Sequence, residues 1–187
     1  MITDFEKTEI KDIIHISDRF IGENFQTFHS VENYLKNKKN ILKVYRVNNK
    51  IVGFIKGKVI KSNLLQDTLL KTNQIIIDDL SCNEYVGYFE TICVKETFRR
   101  KKIATDLLLD LIASLKKIEP INIVYSTVWK TSDGTNAKKL VENIDFKIVS
   151  EIPDYWHDDS IAKNYKCPKC NLPPCKCSML FYKLEII

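Results

Sequence analysis

Apolar positions change their period several times along the chain, and each change marks an element. Ile2 to Phe5 has the character of a short strand. Ile10, Ile13, Ile14, Phe20 and Ile21 then recur at helical spacing, which predicts an amphipathic helix. A second helix is predicted from Val31 to about Asn37, with Ser30 as its N-cap. The runs Leu42–Val47 and Ile51–Val59 predict a hairpin joined at Asn48-Asn49-Lys50, because asparagine tolerates the positive φ of a tight turn. Residues 61–85 mix polar and apolar positions and leave a loop or a short helix open. A strand over Tyr88–Val94, a cationic turn and a helix from about Ala104 to Lys117 follow. That helix places Leu107, Leu108, Leu111, Ile112 and Leu115 on one side. After Pro120 come a strand (Ile121–Val128) and a short helix (Asn136–Asn143), with Ser132, Asp133 and Thr135 available as caps. Strands over Phe146–Ile152 and Met179–Leu184 complete the pattern. Strands alternating with helices in this way predict an α/β or mixed α+β sheet covered on both faces.

Composition narrows this to one domain spanning residues 1–187. A chain of 187 residues with 44% hydrophobic content buries one sizeable core, and no repeat or flexible linker divides it. No apolar run approaches the roughly 18–20 residues that span a bilayer, and Met1 to Glu6 lacks a signal-peptide layout. A cytoplasmic location and no membrane partner are therefore expected. The net charge of +5, from 29 basic and 24 acidic residues, is spread along the chain. It calls for no nucleic-acid partner, and a phosphate-bearing cofactor accounts for part of it.

The densest chemical signal runs from Glu90 to Thr105. An apolar strand ends at Ile92-Cys93-Val94, a turn carries Arg99, Arg100, Lys101 and Lys102, and a helix begins at Ile103-Ala104-Thr105. Unpaired N–H groups and a partial positive charge at a helix N-terminus bind phosphate. A left-handed residue would cost lysine roughly 1–2 kcal/mol, so a right-handed turn is expected at Lys102. Arg99 to Ala104 resembles the pyrophosphate motif Gln/Arg-x-x-Gly-x-Gly/Ala of the GNAT superfamily of acyl-CoA-dependent N-acyltransferases, with Lys102 in place of its glycine. Asn136 to Phe146 resembles a second family segment, Asn-x-x-Ala-x-x-Leu-Tyr-x-x-x-Gly-Phe. Ala137, Leu140 and Phe146 fit, whereas Val141 stands at the tyrosine, Asp145 at the glycine and Gly134 at the leading asparagine, with Asn136 nearby.

The resemblance, which covers essentially the whole chain in element order, implies a GNAT fold. That fold has a central mixed, mostly antiparallel sheet of about seven strands. The implied activity is N-acetyl transfer from acetyl-CoA to a primary amine, by direct attack on the thioester. Acetyl-CoA would lie along residues 92–94 and 99–105, with Asn136 as a further contact. The backbone N–H groups around Ile92–Val94 would polarise the carbonyl. Glu90, four residues before Val94 and so on the same strand face, would accept the amine's proton. A solvent-facing edge carboxylate is the other reading of Glu90. The tyrosine that commonly protonates the thiolate is lost at Val141, and Tyr155 and Tyr125 are the substitutes. His15, His29 and His157 receive no catalytic role.

Six cysteines outside an oxidising compartment read as thiols or metal ligands. Cys167, Cys170, Cys175 and Cys177 have the spacing of a four-thiolate metal knuckle, with zinc the first choice and iron the second. Reduced loop cysteines or a redox dithiol are the alternatives. Residues 155–178, which include Tyr155-Trp156, form an unusually long insertion before the last strand. In the GNAT fold this connection lines the acceptor groove, and the aromatic pair resembles one in protein N-terminal acetyltransferases. The acceptor implied is a peptide or protein amine. A small-molecule amine remains an alternative, as does a GNAT-like scaffold without turnover that binds CoA or uses its knuckle to contact a protein or nucleic acid. Residues 61–85 leave a homodimer contact or an acceptor pocket open.

Overall fold

The computed structural model describes residues 1–130, 136–164 and 166–186. Seven strands form one sheet: β1 (Ile2–Asp4), β2 (Asn40–Val47), β3 (Lys50–Lys61), β4 (Tyr85–Val94), β5 (Ile123–Lys130), β6 (Lys147–Ile152) and β7 (Ser178–Glu185). Their order is β1-β2-β3-β4-β5-β7-β6. Every neighbouring pair is antiparallel except β4 and β5, which run parallel. The helices are α1 (Ile10–Phe20), α2 (Phe28–Leu35), α3 (Ser62–Thr68), α4 (Gln74–Leu80), α5 (Ile103–Ile118), α6 (Asn136–Glu142) and α7 (His157–Lys163). This is the mixed, mostly antiparallel sheet with helices on both faces that the sequence implies. No helix among the described residues is long and apolar enough to cross a membrane.

Local chemistry sets several boundaries. Asn48 and Asn49 take φ of 49° and 59°, the pair of positive angles a two-residue hairpin turn needs, so Lys50 already belongs to β3. Helix α2 starts earlier than the apolar period suggests. Thr27 is its N-cap, accepting from the Ser30 N–H at 3.1 Å, while the Thr27 N–H donates to Ser30 Oγ at 2.9 Å. Ser30 is thus the third residue of a reciprocal capping box rather than the cap. Residues 62–80 hold two short helices, each buried through an i,i+4 pair: Leu65 with Leu69, and Ile76 with Leu80. Exposed apolar residues beside them, Leu64, Leu70 and Ile75, hide the period. The expected caps Ser132, Asp133 and Thr135 lie outside the described residues. Helix α7 interrupts the stretch 155–178 that reads as one loop.

The two faces of the sheet are packed differently. Helix α5 lies on one face, with Leu107, Leu108, Leu111 and Leu115 fully buried against β3, β4 and β5. Its close approach depends on glycine: a Cβ on Gly57 would come within 2.8 Å of the Leu111 side chain. The other face carries two separate apolar clusters. One joins α1 and α2 to Phe54 and Cys93, and the second joins α3 and α4 to Val86, Tyr125 and Phe181. Between these clusters the floor is polar.

Candidate active site

Strands β4 and β5 pair only at Gly87–Val124, Tyr88–Tyr125 and Phe89–Ser126, although β4 continues to Val94 and β5 to Lys130. They therefore diverge into a wedge. On its other edge β4 stays paired with β3 through Ile55–Ile92, Phe54–Cys93 and Gly53–Val94. Peptide groups alternate in direction along a strand, so every second N–H and C=O of this half of β4 faces the wedge.

A bulge redirects the site residues. Lys56 pairs with Thr91 and Gly57 with Phe89, leaving Glu90 as the extra residue of β4. Phe89 and Val94, five apart, consequently both pack on the α5 side, while Cys93 packs under α1. Strict alternation would put Glu90 and Val94 on the same face; the bulge overturns that expectation and turns Glu90 toward the face with two clusters.

There Glu90 is held at 2.7 Å by the Lys58 ammonium, with the side chains 17% and 18% exposed. Solvent-edge placement of Glu90 is therefore not what the fold provides. The Tyr34 hydroxyl donates to the Gly57 carbonyl at 2.6 Å, and its ring carries the Lys56 ammonium at 4.2 Å. Burial pushes the Lys56 pKa down; Glu90 opposes the shift and Lys58 adds to it. The Tyr88 hydroxyl meets Thr127 Oγ1 at 2.8 Å and so spans the mouth of the wedge from β4 to β5. Burial raises the Tyr88 pKa, which keeps that hydroxyl protonated.

The tyrosines expected from sequence are elsewhere. Tyr155 is buried in the α3–α4 cluster, edge-on to Trp156, and its hydroxyl accepts the Leu70 N–H at 3.0 Å. Burial lifts its pKa to about 12. Tyr125 donates to Asp79 Oδ1 at 2.6 Å inside the same cluster. His15 and His29 are exposed, and His157 pairs with Asp158 at 2.7 Å.

The cationic turn Arg99–Lys102 follows β4 and leads into α5. Arg100 and Lys102 both have φ of 61°, and Lys102, in left-handed geometry, is the N-cap of α5. The right-handed turn expected at Lys102 is thus overturned. The chain reverses from β4 into α5 by alternating hand around Lys101, a geometry that points backbone N–H groups into an anion-binding concavity. Lys102 gives no side-chain cap, and its carbonyl accepts the first helical bond from Asp106 at 2.9 Å. The N–H groups of Ile103, Ala104 and Thr105 have no acceptor within the helix. Arg99 is turned back onto the protein. Its Nε donates to the Val94 carbonyl at 3.1 Å, and its guanidinium lies 4.7 Å over the Phe20 ring. Asn136 begins α6. The Cys93 thiol is buried, with its pKa pushed up to about 12, so only its backbone can reach a ligand.

The four cysteines converge. Sγ–Sγ separations are 3.9 Å for Cys167–Cys177, 3.6 Å for Cys170–Cys177 and 4.0 Å for Cys170–Cys175, with all four within 4.8 Å. A tetrahedral ion with bonds of about 2.3 Å has edges of about 3.8 Å, so the donor set fits one thiophilic ion. It is too open for disulfides, whose sulfurs lie about 2.05 Å apart. N–H groups of Lys169 and Cys170 point at Cys167 Sγ, and that of Lys176 at Cys170 Sγ, each at 3.4 Å. The cluster is anchored on both sides. The Cys175 N–H donates to the buried Ser160 Oγ of α7 at 2.8 Å, and Lys166 forms an antiparallel bridge with Glu23 in the α1–α2 connection.

Five polar residues of this face escaped the sequence reading: Tyr34, Lys56, Lys58, Tyr88 and Thr127. A signal existed in the lysines, since Lys56 and Lys58 sit two apart within the otherwise apolar run Ile51–Ile60. Tyr88 and Glu90 share the same spacing on β4.

Sequence comparison with curated proteins gives no match. In fold, the chain is similar to Arabidopsis thaliana NAA60 in complex with a bisubstrate analogue, with a TM-score of 0.69, 16% identity, and 100% of this chain and 97% of that one covered. It is similar to Ard1 from Thermoplasma volcanium, with a TM-score of 0.68 and 16% identity over 100% and 97% of the two chains. The ribosomal-protein-S18-alanine N-acetyltransferase from Escherichia coli aligns with a TM-score of 0.67 and 15% identity over 100% and 93%. At these identities the likeness is one of fold. The profile described as the acetyltransferase (GNAT) family matches residues 10–146, from α1 through the wedge and the phosphate turn to the end of the α6 segment. With that match spanning most of the chain, the protein belongs to the acetyltransferase (GNAT) family.

Proposed function

We propose that the protein transfers an acetyl group from acetyl-CoA to the amine of a peptide or protein. The observation that carries this reading is the geometry of β4, which parts from β5 after Phe89 and carries a bulge at Glu90. Its open edge and the turn beyond it suit the donor, and its bulge turns Glu90 into the opposite groove. The pyrophosphate is held by the N–H groups of Ile103 to Thr105 and by Arg100, Lys101 and Lys102, with Asn136 contacting CoA from α6. The thioester lies in the wedge, its carbonyl polarised by N–H groups from Ile92 to Val94. The neutral amine attacks, its proton passes to Glu90 directly or through water, and the C–S bond breaks. The departing thiolate takes a proton from Tyr88, because Val141 is fully buried and offers no hydroxyl. Tyr155, the acid expected from sequence, has its hydroxyl on the Leu70 N–H and serves the packing of this side.

The cysteine cluster holds one zinc ion in a structural role; iron is the other thiolate-loving candidate. Four protein ligands fill a tetrahedron, so the ion stiffens the acceptor side and takes no part in the chemistry. A protein acceptor is supported by the fold shared with an enzyme whose name specifies a ribosomal protein as its acceptor and by the polar floor between the α1–α2 and α3–α4 clusters. The test is thiol release from acetyl-CoA with mixed peptides and, separately, with small polyamines. Release with peptides is expected. Binding of acetyl-CoA without release from any acceptor sinks the enzymatic reading, and release with small amines alone sinks the acceptor.

A further inference from the structure

Lys56 stands apart among the charges of the groove. Among the described residues its ammonium has no carboxylate within ion-pair distance; its contact is the face of Tyr34 at 4.2 Å. The Glu90 carboxylate nearby is taken by Lys58 at 2.7 Å. The side chain keeps partial contact with solvent yet is densely surrounded, as a group on the floor of a groove would be. Lys56 and Lys58 against Glu90 leave this floor with one uncompensated positive charge. A cation withdrawn from water without a partner is costly, and that cost is recovered when an anion binds. A neutral or cationic acceptor recovers nothing.

We propose that Lys56 is a specificity-determining residue that receives a carboxylate carried by the acceptor next to the amine to be acetylated. This deepens, and rests on, the acetyl-transfer reading. The carboxylate has two chemical sources: the side chain of an acidic first residue of a peptide, or the α-carboxylate of a free amino acid. A polyamine, with ammonium groups beside the reacting amine, is repelled by the same charge.

The experiment uses otherwise identical peptides beginning with Glu, Gln or Lys, and glycine against glycinamide. Each is measured twice: as kcat/KM for thiol release from acetyl-CoA, and as affinity for the protein saturated with CoA, which needs no turnover. The Glu peptide is expected to exceed the Gln peptide by about tenfold, as a charge-assisted contact implies, and the Lys peptide to be poorest. A large glycine-to-glycinamide ratio would instead assign the carboxylate to a free amino acid and move the acceptor class with it. Lys56→Met should bring the Glu-to-Gln ratio near one, Lys56→Glu should invert it, and Lys56→Arg should preserve the preference. Acetyl-CoA affinity and Tm report folding of each variant. A wild-type ratio near one in both comparisons overturns the proposal whatever the variants do. So does an unchanged ratio in a folded Lys56→Met protein. Carboxylate-selective binding without thiol release supports Lys56 and counts against acetyl transfer alone.

Discussion

The turn from Arg99 to Thr105 and the floor made by Lys56, Lys58, Tyr88 and Glu90 meet on a single strand, β4, but they are built on different principles. The turn is contiguous, and the groups proposed to bind phosphate are backbone amides whose direction follows from local φ and ψ. Substituting Lys102 for a family glycine leaves this geometry in place, at the expense of left-handed strain. The floor draws on α2, β3, β4 and β5, and each polar group owes its position to a tertiary event. A bulge aims Glu90, Lys58 holds it, and a Tyr88–Thr127 bond crosses the wedge. Backbone recognition tolerates changes of side chain; a constellation assembled across strands does not.

Substitutions on the two sides should therefore differ in kind. Glu90→Gln is expected to have the largest effect, lowering kcat by about 100-fold or more with acetyl-CoA affinity little changed, as loss of a general base implies. Single-turnover rates within a fewfold of wild type would remove Glu90 from the mechanism. The tyrosines divide on the same assay. Tyr88→Phe should lower kcat more than Tyr155→Phe. Tyr155→Phe removes the acceptor of the Leu70 N–H and should mainly reduce stability, by about 0.5–1.5 kcal/mol. The reverse order would return the acid to Tyr155.

The cysteine cluster offers the next test. Native mass spectrometry should find one zinc per chain and none after Cys170→Ser. Metal loss should raise the acceptor KM by about tenfold, because the knuckle ties α7 to the α1–α2 connection through Ser160 and Glu23, and remote misplacement weakens productive binding. An unchanged acceptor KM in the metal-free protein would separate the knuckle from the groove. The smallest effect belongs to the turn. Lys102→Gly relieves a left-handed lysine and should stabilise the fold by about 1 kcal/mol, or about 2–4 °C in Tm. Acetyl-CoA affinity should change only a fewfold, since amides do the binding. A fall in Tm would mean that Lys102 makes a contact worth more than its strain.

Much of the fold is legible in the chain. The α1 and α5 stripes, the β2–β3 hairpin and the order of strands follow from period and turn chemistry. Reading failed where a single residue changed the phase. The bulge at Glu90 has no marker in Tyr-Phe-Glu-Thr-Ile, because one extra residue in β4 is defined only by the register of β3 opposite. Helices α3 and α4 are each one i,i+4 pair long, too short for a period to emerge. The capping box at Thr27 was obscured because exposed Phe28 and His29 precede the first buried residue of α2.

The sequence by itself determined the place of the cationic turn between β4 and α5 and the convergence of the four cysteines, since both lie within short stretches. It also determined the hydrophobic periods that build the sheet and its covering helices. Tertiary structure alone decided that Arg100 and Lys102 are left-handed, that Glu90 faces away from Val94, and that Tyr155 is committed to Leu70 while Tyr88 reaches the wedge. Those outcomes depend on strand register and on which side chains compete for the same buried space, and neither is a property of any one segment.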